Sequence, residues 1–156
     1  MDEVISYKVV QRVLTSWELA SQKYSSPEEI GMQVLFCMFR TKAETKLVFG
    51  FTAKQNVEEN PMLKMGAMIH GTRIYSMLNQ ALNLVGPDME TLTEFLETLG
   101  ERHSRLGVKK KYFTYLCDGV REVLATILGD KYSPDDDDAW KKILEFLSAS
   151  ITKNFE

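Results

Sequence analysis

The strongest constraint on this chain is the spacing of its apolar side chains. They recur every three or four residues in long runs, and all four prolines fall between those runs. A period near 3.6 puts such residues on one face of a helix, whereas a strand needs strict alternation. The first run, about Val4 to Ser21, carries Val9, Val10, Val13, Leu14 and Trp17. A second helix is expected from Ser26-Pro27-Glu28-Glu29 through Leu35 to Phe39, with Ser26 as cap, Pro27 in the first turn and Glu29 completing a capping box. From Arg40 to Asn60 the pattern breaks down, predicting a loop or short helical turns around Phe49-Gly50-Phe51. Asn60-Pro61 opens a third long helix to about Val85. A fourth runs from Asp88 to about Ser104 before Leu106-Gly107, and a fifth from Lys109 to Leu128. The last starts at Ser133-Pro134, where Asp135 to Asp137 complement the positive helix end, and runs to about Ile151. With no strand-like alternation, internal repeat or sustained heptads, the expectation is one all-α domain of six or more helices.

Composition narrows the classes. A chain of 156 residues, 44% hydrophobic, is long enough to bury one core. A net charge of −3 offers no footprint for nucleic acid or for an anionic membrane. The longest apolar run, Val34 to Phe39, is far short of the roughly 20 residues of a membrane span. The N-terminal Met-Asp-Glu-Val lacks a basic leader, and with two cysteines and no glycosylation sequon a cytoplasmic setting is expected.

Familiar catalytic motifs are missing: there is no Gly-rich phosphate loop, His-Glu-x-x-His, Cys-x-x-Cys or Gly-x-Ser-x-Gly. Asp135 to Asp138 lack the alternating ligands and central glycine of a calcium loop, and Lys109 to Lys111 read as a solvated face.

The informative feature is the position of the only two histidines. In the third helix His70 shares a face with Leu63, Ala67, Gly71, Ile74, Leu78 and Ala81; in the fourth, His103 shares one with Leu92, Leu96, Leu99 and Leu106. An imidazole on a buried face needs partners for both ring nitrogens. A backbone carbonyl can satisfy one; a buried metal or a haem iron between the two helices would satisfy both histidines at once. Zinc fits less well, because no further ligands group with them.

The segment Leu99-Gly-Glu-Arg-His103-Ser-Arg-Leu-Gly107-Val108, with Phe113 following, resembles the proximal region of globins, most closely the neuroglobin- and cytoglobin-like animal globins. His70-Gly71-Thr72-Arg73-Ile74 resembles the distal motif of that family, Phe49 its haem-clamping phenylalanine, and Trp17 and Trp140 the tryptophans of its first and last helices. Gly31 and Gly71 match the small residues of a close helix crossing in that family, which offers a reason for a helix glycine that costs roughly 1 kcal/mol in propensity. The resemblance covers essentially the whole chain and implies a single globin domain over 1–156 (core about 5–153), with six to eight helices around a haem pocket.

The resemblance further implies haem b as cofactor, with His103 as proximal iron ligand and Leu99 and Val108 packing that side. Phe49 and Phe113 would cover porphyrin surface, and Arg73 would pair with a propionate at the pocket mouth. Leu35, with Phe36 as its rival, would wall the distal pocket with Ile74. His70 would be either a hydrogen-bond donor to the ligand or a competing sixth ligand. The implied function is reversible binding of dioxygen, carbon monoxide or nitric oxide, for storage, transport or sensing, by a monomer or homodimer. The alternative is haem redox chemistry (nitric oxide dioxygenation, nitrite reduction or peroxide turnover) fed by a separate reductase. Cys37 and Cys117 are expected as buried thiols, with a redox-switched disulfide as the other reading. Met62, Met65, Met68 and Met77 are expected to serve in packing.

Overall fold

The computed structural model describes residues 5–155. Its helices are α1 (Tyr7–Ser21), α2 (Glu29–Thr41), the single turn α3 (Thr45–Val48), α4 (Pro61–Leu84), α5 (Met89–Arg105), α6 (Lys110–Leu128) and α7 (Pro134–Thr152), with a 3-10 turn at Gly129–Lys131. No described helix is long and apolar enough to cross a membrane. Val4, expected to open the first helix, lies outside the described residues.

Several starts follow from side-chain oxygens that accept the first free N–H groups. Ser6 accepts from Val9, Asn60 from Met62 and Leu63, and Asp88 from Thr91. Ser133 and Asp136 form a reciprocal capping box at α7. The box expected at Ser26 does not form. The Ser26 hydroxyl instead donates to the Glu28 carboxylate at 2.7 Å, a tight turn carries the chain to Glu28, and α2 begins at Glu29 without a side-chain cap.

α2 crosses α4 and also packs on α6, while α1 and α5 pack on α7. The α2–α4 crossing is backbone against backbone: a Cβ added to Gly31 would lie 1.8 Å from the Gly71 carbonyl oxygen, and one on Gly71 would lie 2.4 Å from the Met32 sulfur. A second such contact, between α5 and α7, has a Cβ on Gly100 meeting the Ile151 carbonyl oxygen at 2.1 Å. Trp140 fills the α1–α7 interface, its indole N–H donating to the Ser16 hydroxyl at 2.6 Å, and Trp17 stacks on Tyr75.

The methionines of α4 depart from expectation. Met62, Met65 and Met68 are 83%, 70% and 53% exposed and pack against nothing in the core. The core-facing stripe of α4 is already filled by Ala67, Gly71, Ile74, Leu78 and Ala81, so residues just off that line turn to solvent. Met77 alone of the four packs against the core. Leu106, placed on the apolar face of α5, is 72% exposed, yet it keeps that face and borders the same cavity as Leu99 and His103.

Candidate functional site

α4 and α5 each turn one face toward a cavity of about 600 Å³, within the range of cofactor sites. His70, Arg73, Ile74 and Met77 line it from α4; Phe95, Leu99, Arg102 and His103 line it from α5. Phe49 follows α3, while Val108 and Phe113 follow the close of α5, and all three reach the same space. The structure therefore brings together His70, Arg73, Ile74, Leu99, His103, Val108, Phe49 and Phe113 around one apolar hollow.

Leu35 is the exception. It is fully buried in the core and does not line the cavity; Met38 does. Three residues further along α2 is a turn of about 300° and a rise of about 4.5 Å, which carries Met38 to the level of the cavity while Leu35 stays below it. Phe36, the rival, faces a different cleft of about 410 Å³ between α2 and the α3–α4 loop. Two of the three cations lining that cleft are engaged, Arg40 with Glu58 and Lys46 with the carbonyls of Ala53 and Gln55.

His103 is held at three points. Its Nδ1–H donates to the Leu99 carbonyl oxygen, 2.7 Å away, one turn back in α5. A carbonyl can only accept, so Nδ1 carries the proton of this bond, and Nε2 is the ring nitrogen turned to other partners. The ring meets Phe113 edge-on, centroids 5.4 Å apart, and Phe113 in turn meets Phe155 at 5.8 Å. Finally, α5 ends in a Schellman motif: Val108 N–H donates to the His103 carbonyl and Gly107 N–H to that of Ser104, with Gly107 at φ +76°. One glycine thus closes the helix and delivers Val108 to the cavity.

His70 is half-buried and meets the Phe49 ring edge-on at 5.1 Å. Phe49 packs on Phe39 of α2. Burial, and then the Arg73 guanidinium, hold the imidazolium of His70 below its ordinary range, so the ring is neutral at pH 7. Arg73 and Arg102 stand at the cavity with exposed side chains and, among the described residues, no carboxylate partner. Two imidazoles, an apolar wall and two exposed guanidiniums together suit a flat apolar cofactor bearing a metal and peripheral acids.

The family model described as Globin matches residues 32–151. This chain is a globin. The neuroglobin of Tetraodon nigroviridis is 23% identical over 154 residues, covering 98% of this chain and 94% of that one. Cytoglobin-2 of Danio rerio is 26% identical over 133 residues, covering 83% and 72%. Among solved structures, a hexacoordinated heme protein from an anhydrobiotic tardigrade superposes with a TM-score of 0.76 at 19% identity, covering 99% of each chain. The globin fold is thus shared end to end with proteins of low sequence identity.

Sequence reasoning missed Met38, Met77, Phe95, Arg102 and Tyr112 as lining residues of this globin's cavity. A signal existed for two of them: Phe95 sits four residues before Leu99 and Met77 three after Ile74, each continuing the cavity-facing series. Arg102 carried none, since a charged neighbour of a histidine reads as solvent-facing.

Cys37 and Cys117 are free thiols that bind different partners. Cys37 donates to Glu122 at 3.2 Å and Cys117 to the Leu144 carbonyl at 3.7 Å.

Proposed function

We propose that this globin holds haem b through His103 and uses it to bind a diatomic gas. The carrying observation is that the imidazoles of His70 and His103, from two different helices, line one apolar cavity, with the Nδ1 of His103 committed to a carbonyl. Bound haem would supply a ferrous iron able to take up dioxygen, carbon monoxide or nitric oxide. His103 would present the Nε2 lone pair to the metal. Phe49, Phe113, Leu99, Val108 and Ile74 would cover the apolar ring and exclude water, each buried aromatic contributing on the order of 150–250 Å² of contact. Arg73 and Arg102 would meet the propionates at the open side by charge-assisted hydrogen bonds. Attachment would be non-covalent, since both thiols are bound elsewhere.

His70 would act in one of two ways on the distal side. With Nε2 protonated it would donate a hydrogen bond to a polarised gas ligand, a contact of roughly 1.5–3 kcal/mol. With Nε2 unprotonated it would occupy the sixth position itself, and gas affinity would fall by the fraction of open sites. The visible spectrum of the deoxygenated ferrous protein separates them: sharp low-spin bands for the ligated form, a single broad band for the open one. His103→Ala should strip most haem from the purified protein, read as the ratio of Soret to protein absorbance. Full retention would overturn the proximal assignment.

A further inference from the structure

The cleft between α2 and the α3–α4 loop shares no lining residue with the cavity of α4 and α5. Its volume of about 410 Å³ falls within the range of small-molecule sites. We propose that this cleft is a second binding site, for a short dicarboxylate.

The charge of the lining sets the charge of the ligand. Arg40, Lys46 and Lys54 face one carboxylate, Glu58, in a chain whose net charge is −3. The lining thus carries two cations more than it can neutralise, against the sign of the whole molecule. Glu58 already accepts from Arg40 Nη1 at 2.7 Å. Lys54 is exposed and, among the described residues, has no carboxylate partner.

The hydrogen-bonding groups left over are chiefly donors. Lys46 uses two of its three N–H groups on the carbonyls of Ala53 and Gln55, at 3.2 and 2.7 Å, and keeps one. The Gln55 side-chain oxygen accepts from Thr52 N–H at 2.8 Å, so its amide NH2 remains to donate. Arg40 retains further N–H groups beyond the one given to Glu58. These same bonds tie down the loop wall, so little ordering is lost when a ligand enters.

The floor is apolar: Phe36, Phe39 and Val57 face the cleft and are almost fully buried. A low-dielectric floor strengthens ion pairs formed above it, and it suits a short run of methylenes between two acids. Phosphate has no such spacer, and a monocarboxylate leaves one surplus cation unpaired.

The test is titration of the purified protein with succinate at constant ionic strength, followed by methyl resonances. The Ala43 and Val57 methyls should shift and saturate together, while those of Leu99 and Leu106, in the larger cavity, stay in place. Butyrate, of equal length with one carboxylate, should bind about tenfold more weakly, and so should inorganic phosphate. Lys54→Glu, at an exposed position, should weaken succinate about tenfold with helical circular dichroism unchanged. Any one of four results overturns the assignment: no saturation in wild type, shifts confined to Leu99 and Leu106, butyrate or phosphate bound as tightly as succinate, or unchanged binding by Lys54→Glu. Because the readout is succinate binding, it is independent of whether the larger cavity holds haem.

Discussion

The carbonyl oxygen of Gly71 lies where the Cβ of residue 31 would stand, 1.8 Å from it. The residue before Gly71 is His70, so the position of that imidazole along α4 is set by contact of two backbones rather than by a deformable side chain.

Gly31→Ala must therefore push α2 from α4. The helix-propensity gain of about 1 kcal/mol does not offset this, and a net loss of about 3 kcal/mol is expected in urea unfolding at matched cofactor content. Gly119→Ala is the control. Its Cβ would meet Met38 and Val34 only at 3.4–3.6 Å, so stability should stay within about 1 kcal/mol of wild type. Equal behaviour of the two variants would contradict the crossing.

Gly107 offers a second backbone test. At φ +76° an alanine is strained although nothing crowds its Cβ. Gly107→Ala should cost about 1–2 kcal/mol, and Gly107→Asn less, because Asn tolerates the left-handed region. Amide exchange at Val108, whose N–H closes the Schellman motif on His103, should accelerate in the same order.

Acid stability depends in part on Asp137. The hydrogen bonds from Arg121, at 2.6 and 3.0 Å, lower its pKa; partial burial opposes them, and the Tyr132 hydroxyl adds to them. A carboxyl whose folded pKa lies below its unfolded value contributes stability that is complete above the unfolded value of about 3.9 and lost as pH falls through the folded one. Asp137→Asn should cost about 1 kcal/mol at pH 7 and show a shallower further loss below about pH 4. Thermal melts from pH 7 to pH 2.5 would check it.

Neither thiol should react in the folded state. Burial, then the bond to Glu122, raises Cys37 to about 11. Burial chiefly, and then Asp118, raises Cys117 to about 12. At pH 8 a thiol at 11 is thiolate in only about one molecule in a thousand. A disulfide reagent should label both after unfolding and neither before; rapid native labelling of Cys37 would contradict its burial.

Much of the fold was legible because caps and helix ends are local. Asn60, Asp88, Ser133 and Gly107 each act on a backbone within a few residues, and each stands at a helix boundary read from the sequence. Ser26 failed because its hydroxyl had a nearer competitor in Glu28. The two histidines were legible as a pair because each stands on a core-facing stripe. The longer-range features were not. Gly100 is one of several helix glycines until Ile151 is seen against it, and Met62, Met65 and Met68 looked apolar enough to bury. Side-chain type says what a residue tolerates, but the crossing angle of neighbouring helices decides which stripe of α4 is covered.

The ring series His103–Phe113–Phe155 reaches past the end of α7. An imidazole resting on one phenyl edge, which rests on another, has its swing limited by a residue near the end of the chain. Such coupling runs both ways. Occupying the cavity should slow flipping of the Phe155 ring, and Phe155→Ala should loosen the grip on whatever His103 holds, so a side chain that does not line the pocket still steadies it.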